Sequence, residues 1–255
     1  MGTGCPMPTW LEAGLWGLLG GGALVIGALI AWLSRVPDGV VAGVMAFGSG
    51  VLISAVAFDL MAEAADTGGF GPTALGFLGG AVVYLGANAL LARRGARHRK
   101  RSGGKQPSES DQQGSGAAIA VGALLDGIPE SVVLGVGLLA GGSVSLPVLA
   151  AVFISNVPEG LSSAAGMKRS GRSARYVFGV WTTIALLSGV AALLGYVALG
   201  GAPPEVIAVI TAVAAGAILT MIADTMIPEA FEEAHVWTGL ITSLGFLVAF
   251  AVHQA

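Results

Sequence analysis

Long apolar runs separated by short polar breaks set the pattern of this chain. About 20 consecutive apolar residues suffice to cross a bilayer as a helix. Such runs occur near 11–33, 39–62, 71–92, 117–140, 146–167, 176–199, 205–228 and 236–253. Eight transmembrane helices are therefore predicted, because a segment without water must satisfy its backbone hydrogen bonds internally. The one extended polar stretch, 93–116, is rich in Arg, Lys, Ser, Gly and Gln and reads as a disordered basic loop between helices three and four.

Composition agrees with the pattern. The chain is 55% hydrophobic and 11% charged, where a soluble domain carries about 25% charged residues. The expected fold class is an all-α polytopic membrane protein, with residues 1–255 forming a single transmembrane domain. Charge then sets the orientation. Arg35 falls in the first connection, Arg93 through Lys105 in the third, and Lys168, Arg169, Arg172 and Arg175 in the fifth, which accounts for all 12 Lys and Arg. The positive-inside rule places these connections in the cytoplasm and both termini outside, in a multi-pass protein of a bacterial inner (plasma) membrane. Residues before the first apolar run include no Lys or Arg, so no secretory signal peptide is expected. Cys5 is the only cysteine, which excludes an intramolecular disulfide and a multi-thiolate metal site. The lipid bilayer is the expected surrounding, with the basic start of the 93–116 loop placed to touch anionic lipid heads. No nucleic-acid partner is expected.

Residues 48–64 can be laid ungapped over 214–230, so that Gly50 meets Gly216, Ala57 meets Ala223, Glu63 meets Glu229 and Ala64 meets Ala230. The first segment lies in helix two and the second in helix seven, which run in opposite directions. Inverted repeats of this kind are the skeleton of alternating-access carriers, so an inverted-repeat architecture is expected, with helices four and five between the halves.

Those two helices carry the chemistry. Helix four contains Asp126-Gly127-Ile128-Pro129-Glu130 and helix five Ser155-Asn156-Val157-Pro158-Glu159. A charge at the centre of a bilayer costs about 2.5–3.5 kcal/mol even on the lenient insertion scale. Pro129 and Pro158 cannot donate to the carbonyls of Leu125 and Ile154, so each helix offers a carboxylate and a freed backbone oxygen one turn apart. Asp126 and Glu130 share a face at i, i+4, as do Ser155 and Glu159. If the two faces meet, three carboxylates, an amide and a hydroxyl surround one point, and such a cluster needs a divalent cation or protons. The plainer reading is that the carboxylates cap proline kinks; two such units in consecutive helices, with Asp126 added, favour the cation. Asp59 and Glu63 at the outer end of helix two are candidates for an entrance, and Asp224 and Glu229 flanking Pro228 in helix seven for an exit, although ordinary helix-end charges explain them almost as well. His98, His235 and His253 lie outside the core spans, so no imidazole site is expected there. Gly39/Gly43, Gly76/Gly80 and Gly137/Gly141 have the spacing for close helix approach, compatible with a homodimer without specifying one.

With these residues in place, the chain resembles the ZIP (Zrt/Irt-like) family of divalent-metal transporters. The two Pro-Glu units, Phe58-Asp59-Leu60, the Ala215-Gly216-Ala217 to Ile227-Pro228-Glu229 stretch, eight spans and a variable loop after helix three all match, covering the chain after about residue 38. The resemblance implies uptake of Zn²⁺, Mn²⁺ or Fe²⁺ into the cytoplasm through a site between helices four and five, with Asp126, Glu130, Ser155, Asn156 and Glu159 as ligands. It implies no resident cofactor and no enzymatic activity. This chain departs from the family where it has Asp126-Gly127 for His-Asn, Ser155-Asn156 for Gln or His with Asp or Asn, Ser188 for a helix-six Glu, and Asp224-Thr225 for His-Glu. Gly127 and Ser188 supply no carboxylate or imidazole, so one metal rather than two is expected. An all-oxygen donor set suits manganese or iron better than an imidazole site does, though zinc also accepts carboxylates. A metal-binding sensor that no longer transports, a cation-coupled carrier of another solute and an intramembrane metal hydrolase are the alternatives. The last two lack, respectively, bulky recognition residues and an imidazole ligand.

Overall fold

The computed structural model describes residues 7–96, 115–141 and 144–254. These form helices α1 (Thr9–Leu33), α2 (Asp38–Gly68), α3 (Phe70–Leu91), α4 (Ser115–Gly141), α5 (Leu146–Arg169), α6 (Ala174–Leu199), α7 (Pro204–Ala234) and α8 (Trp237–His253). No strand occurs among the described residues. Seven of the helices are long and apolar enough to cross a membrane. The eighth predicted span is a helix of 17 residues, about 25 Å at 1.5 Å per residue. Most of the loop predicted over 93–116 lies outside the described residues, but its first part is ordered differently: Ala92–Ala96 continues α3 as a π-helical turn.

Local signals explain where the helices start and stop. Pro8, Pro37 and Pro203 precede α1, α2 and α7, and a proline there has no N–H to lose. Ser145 and Ser173 cap α5 and α6 by accepting from the Val148 and Tyr176 amides. Gly69, at φ +76°, breaks α2 from α3, a conformation that favours glycine.

Two helices run further than their apolar patterns. α2 reaches Gly68 and α7 reaches Ala234, and each contains a π-helical segment, Ala55–Met61 in α2 and Ile222–Met226 in α7. Asp59 and Asp224 lie within these segments. The predicted helix-two charges are thus inside a continued helix rather than at its end. The wider i→i+5 turn accommodates an extra residue without ending the helix.

The helices pair by close backbone approach. α1 packs on α5 and α6, α4 on α6, α2 on α8 and α5, and α3 on α7. A Cβ on Gly27 of α1 would lie 2.1 Å from the Val157 carbonyl oxygen, and one on Gly160 of α5 would lie 2.2 Å from the Leu24 oxygen. Gly50 and Gly245 meet backbone across the α2–α8 pair, and Gly80 and Gly216 across the α3–α7 pair. Of the spaced glycine pairs, Gly76/Gly80 forms such a crossing, whereas Gly39 faces open space and Gly43 reaches only the tip of Ile241. Small residues suit such a bundle because helices surrounded by lipid associate by packing rather than by a hydrophobic drive.

The core lies where α2, α4, α5 and α7 converge, around Leu52, Leu60, Val133, Leu134, Val152 and Ile218. The outside is apolar as well: Leu75, Val82 and Val83 on α3, Leu194 and Val197 on α6, and Leu240 and Leu247 on α8 are exposed. A bundle apolar on both core and surface is the pattern of a polytopic membrane protein, since a soluble monomer rarely exposes a large contiguous apolar surface.

Candidate metal site

All five residues predicted as ligands are buried. Asp126 and Glu130 are each 2% exposed, Ser155 is fully buried, and Asn156 and Glu159 are 3% exposed. Pro129 and Pro158 both lie inside continuous helices. The carboxylates therefore sit within the bundle and not on its lipid-facing surface.

Each side chain is held by a different neighbour. Tyr84 of α3, itself 1% exposed, donates its hydroxyl to Asp126. Asn156 donates its Nδ2 to the Gly20 carbonyl of α1 at 3.1 Å, which leaves its carbonyl oxygen as the atom suited to a cation. Ser155 turns back on its own helix, donating to the Val152 carbonyl at 3.0 Å, and Ser131 does likewise to Gly127 at 2.7 Å. Gly160 follows Glu159 immediately, so the α1–α5 crossing at Gly27 and Gly160 fixes the backbone beside that carboxylate.

Glu130 lines a cavity of about 10 Å³ together with Leu52 and Val56 of α2, Val148 and Val152 of α5, and Ile218 of α7. That space is at the lower limit for one water. A neighbouring cavity of about 20 Å³ contains Glu63, Ser145 and Thr211. Leu60, Val133 and Val148 line both cavities, so the Glu63 and Glu130 cavities share an apolar wall.

Asp126 and Glu130 stand on α4 and Glu159 on α5. α4 and α5 touch each other only sparsely, each being packed mainly on other helices. Accordingly, no three His, Cys, Asp or Glu side chains among the described residues are grouped so as to hold a metal ion.

The outer candidates have unforeseen company. Asp59 lies 3.1 Å from Nδ1 of His253 at the end of α8, where Phe58 also packs against Phe250 with ring centroids 4.9 Å apart. Glu63 is half-buried in its small cavity. On α7, Asp224 is exposed and Glu229 is buried, 8% exposed.

Two positions singled out for what they lack are neighbours. A Cβ on Gly127 of α4 would lie 3.7 Å from Oγ of Ser188 on α6. Ser188 is pressed in turn by Gly17 and Gly21 of α1. Beside Asp126 there is thus a place filled by small residues where larger side chains would meet. Tyr84 and His253 carry no motif signal. The only hint for Tyr84 is a hydroxyl in the middle of an apolar span, which must find a partner when buried.

No protein-family model matches this chain, and no curated protein matches it in sequence.

Proposed function

We propose that this chain is a divalent metal uptake transporter of the ZIP kind, with eight spans, both termini outside and the basic connections in the cytoplasm. The observation that carries the reading is the burial of Glu130 and Glu159, each directly after a proline inside a membrane-length helix. A carboxylate buried in an apolar bundle is costly unless it is paired or hydrogen-bonded, and such residues within membrane helices characteristically mark ion or proton paths. Glu130, Glu159 and Asp126 are the principal ligands of the transported ion, with the Asn156 carbonyl oxygen and Ser155 completing the shell. Zinc, manganese and iron are the candidate cargoes.

In this mechanism the ion is collected at the outer side by Asp59 and Glu63. From there the ion passes the apolar wall of Leu60, Val133 and Val148 that the Glu63 and Glu130 cavities share. The ligands draw together as α4 and α5 shift relative to one another, and the ion leaves past Asp224 and Glu229. Because the carboxylates must lose protons to take the metal, binding releases protons. The π-helical segments at matching places in α2 and α7 and the Gly50 and Gly216 crossings support the inverted-repeat reading of residues 48–64 and 214–230.

The test is influx of Mn²⁺, Zn²⁺ and Fe²⁺ into proteoliposomes. Saturable influx is expected for wild type, with a loss of tenfold or more in Glu130→Gln and in Glu159→Gln, about 1.4 kcal/mol of lost ligation or greater. Unchanged influx in both variants would sink the site. The absence of an imidazole ligand from α4, where this chain has Asp126, favours a second reading, a protein that binds metal without carrying it. Metal binding that is lost in the variants, with no wild-type influx, would establish that reading instead.

A further inference from the structure

A cavity of about 430 Å³ opens between the ends of α1 and α5, far from the Glu130 cavity in both lining and chemistry. Arg35, Lys168 and Arg169 line it together with the apolar Val36, Leu161 and Ala165. Its volume is in the range of ligand sites, about 300–1,000 Å³.

The three cations are not equally committed. Lys168 donates to the Trp32 carbonyl at 2.8 Å and the Ala31 carbonyl at 3.5 Å, and lies over the Trp32 ring, so it caps the carbonyl end of α1. Arg169 pairs with Asp38 at 3.1 Å. Arg35 makes no hydrogen bond or ion pair with another described residue. Among the described residues lining the cavity, three are cations and none is a carboxylate, so it does not suit a metal cation. What it suits is an anion, and a guanidinium fork matches the two oxygens of a phosphate.

We infer that this cavity binds the phosphate headgroup of an anionic phospholipid. The phosphate would sit on Arg35, with the third Lys168 proton within the same cavity, and the first acyl carbons would lie on Val36, Leu161 and Ala165. A free phosphate shares the charge but makes no use of the apolar wall, and the exposed Leu33 beside the cavity continues that wall toward lipid. Basic pockets between helices at a membrane face are the usual sites for such headgroups. The lipid would tie the α1–α2 connection to the end of α5, the helix that carries Glu159. The inference needs the chain to lie in a bilayer and is independent of metal transport.

The experiment measures binding to the purified full chain in neutral detergent by native mass spectrometry. The probes are phosphatidylglycerol, phosphatidylcholine and inorganic phosphate. About one phosphatidylglycerol per chain is expected to be retained, out-competing phosphatidylcholine, with a loss of about tenfold in affinity for Arg35→Gln, the order expected for one charge-assisted hydrogen-bonding group. Arg35→Gln breaks no contact among the described residues, so its fold is retained, which a thermal melt verifies. Arg175→Gln, which removes an exposed cation on α6 outside the cavity, is expected to leave binding unchanged. Equal retention of phosphatidylcholine, equal displacement of phosphatidylglycerol by inorganic phosphate alone, or an equal loss in Arg175→Gln would each overturn the inference.

Discussion

At the scale of single residues, the site is defined by who satisfies each buried acid. Tyr84 donates to Asp126, so one carboxylate has a partner from α3 that an ion arriving at Asp126 must displace or share. Tyr84→Phe removes that donor and leaves a buried acceptor short of a bond, a cost of about 1–3 kcal/mol. The expected outcome is a lower thermal midpoint for the metal-free protein, with part of the loss recovered on adding Mn²⁺ or Zn²⁺, since a ligand of the native state stabilises it by mass action. An unchanged midpoint would show that the phenol contributes nothing to holding Asp126. That Asp126, Glu130 and Glu159 lie within long apolar helices was legible in the sequence, because each interrupts a membrane-length apolar run. Which neighbours meet them was not. Spacing along a helix places two groups on one face but says nothing about which helix that face meets.

At the scale of elements, glycine decides the partners. The α1–α5 crossing brings Gly27 against the Val157 carbonyl and Gly160 against that of Leu24, next to Pro158 and Glu159. Gly27→Val or Gly160→Val has no room without parting the two backbones, and overpacking of this kind costs about 1–3 kcal/mol or more. Both variants are expected to lower the thermal midpoint and weaken metal binding, whereas Gly39→Val, facing open space, leaves both unchanged. Equal effects at all three positions would show that the crossing is not specific. With 41 glycines in the chain, four-residue spacing recurs by chance, which is why only one of the three pairs noted in the sequence marks a tight crossing on both residues. The π-helical segments of α2 and α7 were equally silent. An inserted residue shifts the face of everything after it, yet leaves the apolar composition unaltered.

For the whole molecule, the end of α5 meets the α1–α2 connection through Lys168 on Trp32 and Arg169 on Asp38, so the basic residues of the first and fifth connections share one end. Asp59 and His253 come together from α2 and α8. The orientation proposed from charge predicts the labelling of single cysteines in a Cys5→Ser background. Cysteine in place of Gly201, which has open space around it, is expected to react with a membrane-impermeant maleimide in intact cells. Cysteine in place of Ser108 is expected to react only after permeabilisation. The reverse pattern would invert the topology and exchange the proposed entrance and exit.

The sequence by itself determined the helical class, the positions of the long apolar helices to within a few residues at most ends, and that Asp126, Glu130 and Glu159 lie inside them. Those properties depend on runs of local composition, and a run of 20 apolar residues has few other fates. Tertiary structure alone decided that α4 rests on α6 and α5 on α1, that Tyr84 holds Asp126, that His253 joins Asp59, and that Gly127 lies beside Ser188. In a soluble helix the buried face differs in polarity from the exposed one, so the pattern reveals the packing surface. Here the lipid-facing and core-facing sides are both apolar, and the choice of partner rests on close backbone fit and a few polar contacts between residues far apart in the chain.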